Sequence, residues 1–151
     1  PLKFRFDMAC SGRRGMELQP KNLTERERAL ADRCIRSYKQ YRDLVFTGDV
    51  YRLASPYEGD YYALMYVSQD QSRAVVYTYC LKYQNRAVGA HVFRLDGLDP
   101  ARSYRVTELN VDRSCWWGSG KAHAGDFLMN GGFNPVLLKT FDSGVFYLEA
   151  D

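Results

Sequence analysis

Leu2, Phe4, Phe6 and Met8 alternate with Lys3, Arg5 and Asp7 at the head of the chain. A period of two is that of a half-buried strand, and the run predicts one over residues 2–9. A loop follows through Ser11-Gly12-Arg13-Arg14-Gly15 and Gln19-Pro20-Lys21-Asn22. Thr24 with Glu27 three residues on makes a capping box, whose hydroxyl and carboxylate satisfy the first free amides of a helix. Behind it Leu30, Cys34, Ile35, Tyr38, Tyr41 and Val45 recur at three-to-four spacing, with Arg26, Arg33, Lys39 and Asp43 on other faces. That pattern predicts one amphipathic helix from Glu25 to about Val45. Gly48 is expected to end it in the left-handed conformation open to glycine.

Beyond Gly48 the period changes. Tyr61 to Val67 and Ala74 to Tyr79 are β-branched and aromatic runs joined by the polar segment Gln69-Asp70-Gln71-Ser72, which reads as a hairpin. Further strands are expected at Ala90 to Leu95, Ser103 to Leu109, Phe127 to Met129, Val136 to Phe141 and Val145 to Glu149. Short strands at near-regular spacing predict a mainly β fold, an antiparallel β-sandwich preceded by one strand and one long amphipathic helix. Two parts follow: residues 1–47, a strand-loop-helix unit, and residues 48–151, the sandwich. A lone strand and helix repeat in α/β folds and bury little alone. Because the chain also opens at Pro1 inside this run, it is expected to be the C-terminal piece of a larger enzyme. The orphaned strand would leave an unpaired edge, so self-association through residues 2–9 is expected.

Composition narrows the class. At 46% hydrophobic and 26% charged residues the chain reads as a folded globular protein. The net charge of +3 is spread along the sequence rather than concentrated in a basic stripe, which argues against a nucleic-acid partner. No apolar run is long enough to span a membrane, and no membrane partner is expected. Nothing marks the chain as secreted, and the cytoplasm is favoured. Cys10, Cys34, Cys80 and Cys115 form no C-x-x-C pair, so zinc ribbons and thioredoxin-like motifs are excluded and buried free thiols are expected.

Candidate chemistry is sparse. His91 and His123 are far apart and have no neighbouring ligand at metal spacing, so no metal site is expected, and no cofactor. Trp117-Gly118-Ser119-Gly120-Lys121 fails as a phosphate loop, because Cys115 stands where the first glycine belongs and Ala122 where a hydroxyl residue belongs. No G-x-S-x-G elbow is present. Asp7, Glu17, Asp60, Asp112 and Asp126 cannot be paired across a sugar bond from sequence, and none is assigned as catalytic. Aromatics make 15% of the chain, with Trp116 and Trp117 adjacent. Core packing is the favoured role, and a carbohydrate-binding β-sandwich module is the alternative. Neighbours on a strand point to opposite faces, so at most one of the two tryptophans shares a face with the core.

The stretch Tyr38-Lys39-Gln40-Tyr41-Arg42-Asp43-Leu44-Val45, continued by Gly48-Asp49-Val50-Tyr51-Arg52-Leu53-Ala54-Ser55-Pro56-Tyr57-Glu58, resembles the C-terminal region of microbial α-galactosidases of glycoside hydrolase family thirty-six. Ser11-Gly12-Arg13-Arg14-Gly15-Met16-Glu17-Leu18 is similar to the loop after that family's final barrel strand, and Leu95-Asp96-Gly97-Leu98-Asp99-Pro100, with Tyr104 and Val106, to a turn and strand of its terminal sandwich. The resemblance implies a parent enzyme that releases terminal α-galactose from raffinose-type galactosides with retention, using a nucleophilic and an acid/base carboxylate. Both are aspartates upstream of Pro1 in the family, so no catalytic residue is assigned here. It implies that residues 1–47 are the last unit of a truncated (β/α)₈ barrel and that the chain's partner is the rest of the parent enzyme, with galactoside bound only by the full-length protein. Barrel sites lie at the C-terminal ends of strands, which puts the Cys10 to Gly15 loop, and Ser11 and Gly12 in it, near the substrate pocket.

Overall fold

The computed structural model describes residues 1–12, 20–84 and 91–151. Arg13, Arg14, Gly15 and Glu17, together with Ala90 at the head of an expected strand, lie outside the described residues. Two helices, α1 (Leu2–Cys10) and α2 (Glu25–Thr47), precede the strands β1 (Asp49–Ala54), β2 (Tyr61–Val67), β3 (Arg73–Cys80), β4 (Ser103–Leu109), β5 (Lys121–Ala124) and β6 (Asp142–Ala150). The strands form one antiparallel sheet in the order β1-β2-β3-β6-β4-β5, so the last strand is inserted between β3 and β4. The mainly β, antiparallel expectation is borne out, and the predicted hairpin is β2 paired with β3, Leu64 opposite Tyr77.

Both faces of this sheet are buried, and the alternation along β3 shows how. Val75, Tyr77 and Tyr79 face Cys10 of α1 and Tyr38, Tyr41 and Leu44 of α2. Ala74, Val76 and Cys80 face the other way, toward Phe93, Leu95, Trp116, Leu128 and Phe133. Among the described residues, the layer a second sheet would occupy in a sandwich is therefore built from connections. Phe93 and Phe133 bridge each other, and Leu95 N–H donates to Leu128 O at 3.0 Å.

The expected strand at residues 2–9 is the helix α1, and the reason lies in what flanks it. Leu2 and Phe6, one turn apart, pack with Ala31 and Cys34 of α2, while Phe4 and Met8 pack on the cluster at the sheet. Two residues of offset is about 200° around a helix, so stripes i, i+4 on opposite sides interleave as a period of two. Alternation that normally marks a strand here marks a helix wedged between two apolar surfaces. The helix satisfies its own backbone, so the unpaired edge from which self-association was expected is not there.

Asp7 ties this helix down. It is fully buried, and its carboxylate accepts from Lys3 Nζ at 2.6 Å, Asn110 Nδ2 at 2.7 Å and Ser143 Oγ at 2.7 Å. Three bonds to one buried carboxylate join α1 to the ends of β4 and β6 and offset much of the cost of removing the charge from water.

The expected helix is α2, and its capping box is formed: Glu27 N–H donates to Thr24 Oγ1 at 3.3 Å and Thr24 N–H to Glu27 Oε2 at 2.9 Å. Gly48 does end it, but with φ −78° and ψ 160°, so left-handed freedom is not what the glycine supplies. A Cβ at Gly48 would stand 2.6 Å from Leu44 O and 2.8 Å from Val67 O. Glycine is required by the close approach of the helix end to β2.

Other strand expectations fail for local reasons. Phe127 to Met129 lies in a π-helical turn, Phe127–Gly131, closed by Gly132 N–H to Phe127 O at 2.9 Å and by Asn130 Nδ2 to Asp126 Oδ1 at 2.6 Å. Val136 and Phe141 have φ of 57° and 60°, which a strand cannot hold. Of the run to Leu95, only Phe93 makes a bridge among the described residues. Two unpredicted strands form the edges. β1 turns Tyr51 and Leu53 inward, and β5 is four residues long, pairs with β4 and stacks His123 on Trp116.

Two substitutions test this account. Gly48→Ala forces apart backbone that cannot give way and is expected to cost roughly 1–3 kcal/mol, in the range of overpacked sites. Unchanged stability in urea denaturation would contradict the close approach. Asp7→Ala strands the buried Asn110 amide and Ser143 hydroxyl and leaves Lys3, whose side chain is 22% exposed, without its partner. A loss of about 3 kcal/mol is expected, the low end for breaking buried pairs. A loss under about 0.5 kcal/mol in the same assay would show that the network does not anchor α1.

Candidate functional site

The segment singled out by sequence, Ser11 and Gly12, directly follows the last residue of α1. A helix end leaves carbonyls without intrahelical partners, and a left-handed residue past the end commonly folds the chain back onto them. Ser11 has φ −76° and ψ 0° and so does not provide that turn. Its N–H reaches Asp7 O and Met8 O at 3.2 and 3.3 Å, and its hydroxyl donates to Met8 O at 2.8 Å.

Tyrosines of the sheet and of α2 also donate to carbonyls of this segment, Asp7 O among them. Tyr79 OH donates to Asp7 O at 2.9 Å, Tyr77 OH to Cys10 O at 2.8 Å and Tyr66 OH to Ser11 O at 2.8 Å. Tyr38 OH of α2 reaches Gly12 O at 3.4 Å, a longer contact. Burial pushes the hydroxyls of Tyr66, Tyr77 and Tyr79 above the ordinary phenol range, those of Tyr77 and Tyr79 far above it. A protonated phenol is a donor, and burial favours that form. Sequence reasoning missed these residues. The available signal was that Tyr77 and Tyr79 share one face of a strand buried on both sides, where a hydroxyl demands a partner.

No other candidate is drawn into this segment. Among the described carboxylates, Asp7 holds the network above, Asp60 accepts from Gln84 Nε2 at 2.6 Å, Asp112 pairs with Arg33 and Asp126 accepts from Asn130 Nδ2. His91 stacks on Tyr61 with ring centroids 4.2 Å apart, and His123 Nε2 lies 2.9 Å from Gly118 O. Among the described residues no three His, Cys, Asp or Glu side chains cluster as metal ligands, and no helix is long and apolar enough to cross a membrane. Cys10, Cys34 and Cys80 are buried and outside any disulfide, as expected, whereas Cys115 is exposed. The Trp117 to Lys121 stretch is the turn into β5, with Gly120 at φ 78° donating its N–H to Val106 O at 2.7 Å.

The tryptophans lie in a turn rather than on the strand from which their division was argued, yet they divide. Trp116 is 5% exposed and packs on Phe133 and Phe146, while Trp117 is 75% exposed. Lys121 Nζ sits 4.9 Å from the centroid of the Trp117 ring, so a cation already occupies one face of the aromatic surface that a sugar would need.

Comparison with known proteins bears directly on this geometry. Residues 61–148, from the start of β2 to the inner part of β6, match the family model described as the glycosyl hydrolase family 36 C-terminal domain. The α-galactosidase AgaA of Geobacillus stearothermophilus is 37% identical over 150 residues, which are 99% of this chain and 19% of that protein. The crystal structure of the family 36 α-galactosidase AgaB from the same organism superimposes with a TM-score of 0.87 at 34% identity, covering 100% of this chain and 19% of AgaB. That of an AgaA variant in complex with stachyose gives 0.86 at 35% identity, covering 100% of this chain and 20% of the variant. The chain thus spans about a fifth of the length of the relatives it matches. On the strength of a matched segment running through the body of the sheet, the chain belongs to the C-terminal domain family of the family 36 glycosyl hydrolases.

Proposed function

We propose that these residues work as the C-terminal part of an α-galactosidase that releases terminal α-linked galactose from raffinose-type galactosides with retention. The observation that carries this is the end-to-end match, 99% of this chain, to a fifth of an α-galactosidase at 37% identity. In this reading the nucleophilic and acid/base carboxylates belong to a catalytic barrel in the longer protein, which is the chain's partner. Of the carboxylates named above, the fully buried Asp7 is spent on the network that anchors α1, in keeping with that division of labour.

The sheet domain, residues 48–151, supports the barrel, and residues 1–47 form its contribution to the barrel's final unit, with α1 in place of the strand expected there. Ser11 and Gly12 line the galactoside pocket, a reading supported by the likeness of the Ser11 to Leu18 sequence to the loop after the family's final barrel strand. Galactoside binds only where the barrel completes that pocket. The carbohydrate-module alternative would draw on exposed aromatics such as Tyr57 and Trp117, and the Trp117 ring is shared with Lys121.

Hydrolysis of an aryl α-galactoside separates these roles. The 151 residues alone are expected to show no turnover, and the longer protein that carries them is expected to hydrolyse it. Turnover by the 151 residues, abolished by substituting one of their own carboxylates, would overturn the assignment. Gly12→Ala gives a finer test, because a Cβ there meets nothing within 4 Å and costs the fold little. In the longer protein it should raise KM for raffinose by about tenfold, the effect of roughly 1.4 kcal/mol of lost binding. Unchanged kinetics would remove Gly12 from the pocket.

A further inference from the structure

The end of α1 is held by side chains that belong to a different part of the fold. Tyr66 stands on β2 and Tyr77 on β3, strands paired along their full length, and their hydroxyls reach Ser11 O and Cys10 O, both at 2.8 Å. Their rings are fixed as well. Tyr77 lies edge-on to both Tyr66 and Tyr41, with centroids 6.4 and 6.1 Å apart, and its side chain is fully buried. A strand in mid-sheet moves little, and a hydroxyl at the end of a packed ring has almost no rotational freedom left. Two successive carbonyls at a chain reversal are therefore located to hydrogen-bond accuracy by groups that the helix does not itself supply.

A helix end without a left-handed cap would otherwise leave these carbonyls to water, and the following residues would be free to shift. Phenylalanine at both positions would fill the same volume and bury the same ring. The hydroxyls add direction: they set how far Ser11 and Gly12 stand from the sheet.

We propose that Tyr66 and Tyr77 are positioning residues of the galactoside pocket, through which the C-terminal sheet sets the placement of Ser11 and Gly12 against the substrate. This rests on the reading above that Ser11 and Gly12 line that pocket. The tyrosines do not touch substrate. Their effect is on the geometry of the groups that do, and displacements of about 1 Å at a reacting site can cost as much as 100-fold in rate.

The test uses the longer protein with the substitutions Tyr66→Phe, Tyr77→Phe, the double variant, Gly12→Ala and a control, Tyr104→Phe. Tyr104 lies on the opposite face of the sheet, where its hydroxyl donates to Gln71 O at 2.7 Å and accepts from Asp99 N–H at 3.0 Å. The control thus loses comparable buried hydrogen bonds away from α1. Thermal unfolding is measured for each variant, and kcat and KM for raffinose are measured well below the lowest Tm. The double variant is expected to lose about tenfold or more in kcat/KM while fully folded, with each single variant losing part of that, and Tyr104→Phe to lower Tm with unchanged kinetics. If Gly12→Ala alters KM and the folded tyrosine variants match the unsubstituted enzyme, the pocket reading stands and the positioning role is overturned. If the tyrosine variants and Tyr104→Phe lose activity alike in proportion to Tm, the hydroxyls serve stability only, which also overturns it. If neither Gly12→Ala nor any tyrosine variant changes the kinetics, the pocket reading fails and takes this inference with it. Should the double variant not fold, the two single variants, each missing one hydrogen bond, decide the same question.

Discussion

The fold depends on one arrangement above others, a sheet buried on both faces whose two sides are built from different chemistry. On the helix side the large residues are tyrosines, and their hydroxyls end on backbone carbonyls of Asp7, Cys10 and Ser11. On the connection side the large residues are Phe93, Trp116, Phe133 and Phe146, packed edge to face with centroid separations such as 4.9 Å between Phe133 and Phe146. The first side must accommodate a helix end and its exposed carbonyls, so it needs donors. The second is built mostly of apolar rings, and Tyr104 is its one fully buried tyrosine among the described residues, with its hydroxyl on Gln71 O at 2.7 Å.

Burial on both sides also explains which elements could be read from the sequence. A strand covered on both faces shows a continuous apolar run rather than alternation, and Tyr61 to Val67 and Ala74 to Tyr79 are such runs, recognisable by composition and by the polar turn between them. The capping box at Thr24 and Glu27 was legible because it depends on two side chains and nothing distant. α1 was not, because the period of its apolar residues comes from having partners on two sides, and those partners lie in α2 and in strands far along the chain. β5 was illegible for a related reason: Lys121, Ala122, His123 and Ala124 alternate over only four residues with alanines too small to mark a buried face, and the register with β4, Tyr104 opposite His123, makes them a strand.

The candidate segment was legible in a narrower sense. Its position in the sequence was identifiable, but what holds it was not, since Tyr66, Tyr77 and Tyr79 lie between 55 and 72 residues further along the chain than the carbonyls they bind. Nothing local to Ser11 or Gly12 signals those partners. The tyrosines themselves carried half of the information, because a phenol on a doubly buried face must end on an acceptor. Which acceptor is a property of the packing.

The junction at Thr47 and Gly48 shows how closely the two parts of the chain are joined. The end of α2 and the backbone of β2 approach too closely for a side chain, and the Arg73 guanidinium on β3 holds the Asp43 carboxyl on α2 below the usual carboxylate range. That exposed pair adds little stability on its own. Its geometry nevertheless agrees with the shared cluster of Tyr38, Tyr41, Leu44, Leu64 and Tyr77 in placing α2 against β2 and β3. Residues 1–47 therefore do not swing on residues 48–151 as on a hinge, since any rotation at Gly48 would have to open that cluster and unseat the tyrosine hydroxyls together. A displacement of the sheet is then necessarily a displacement of the end of α1 and of Ser11, whose carbonyls the sheet's hydroxyls hold.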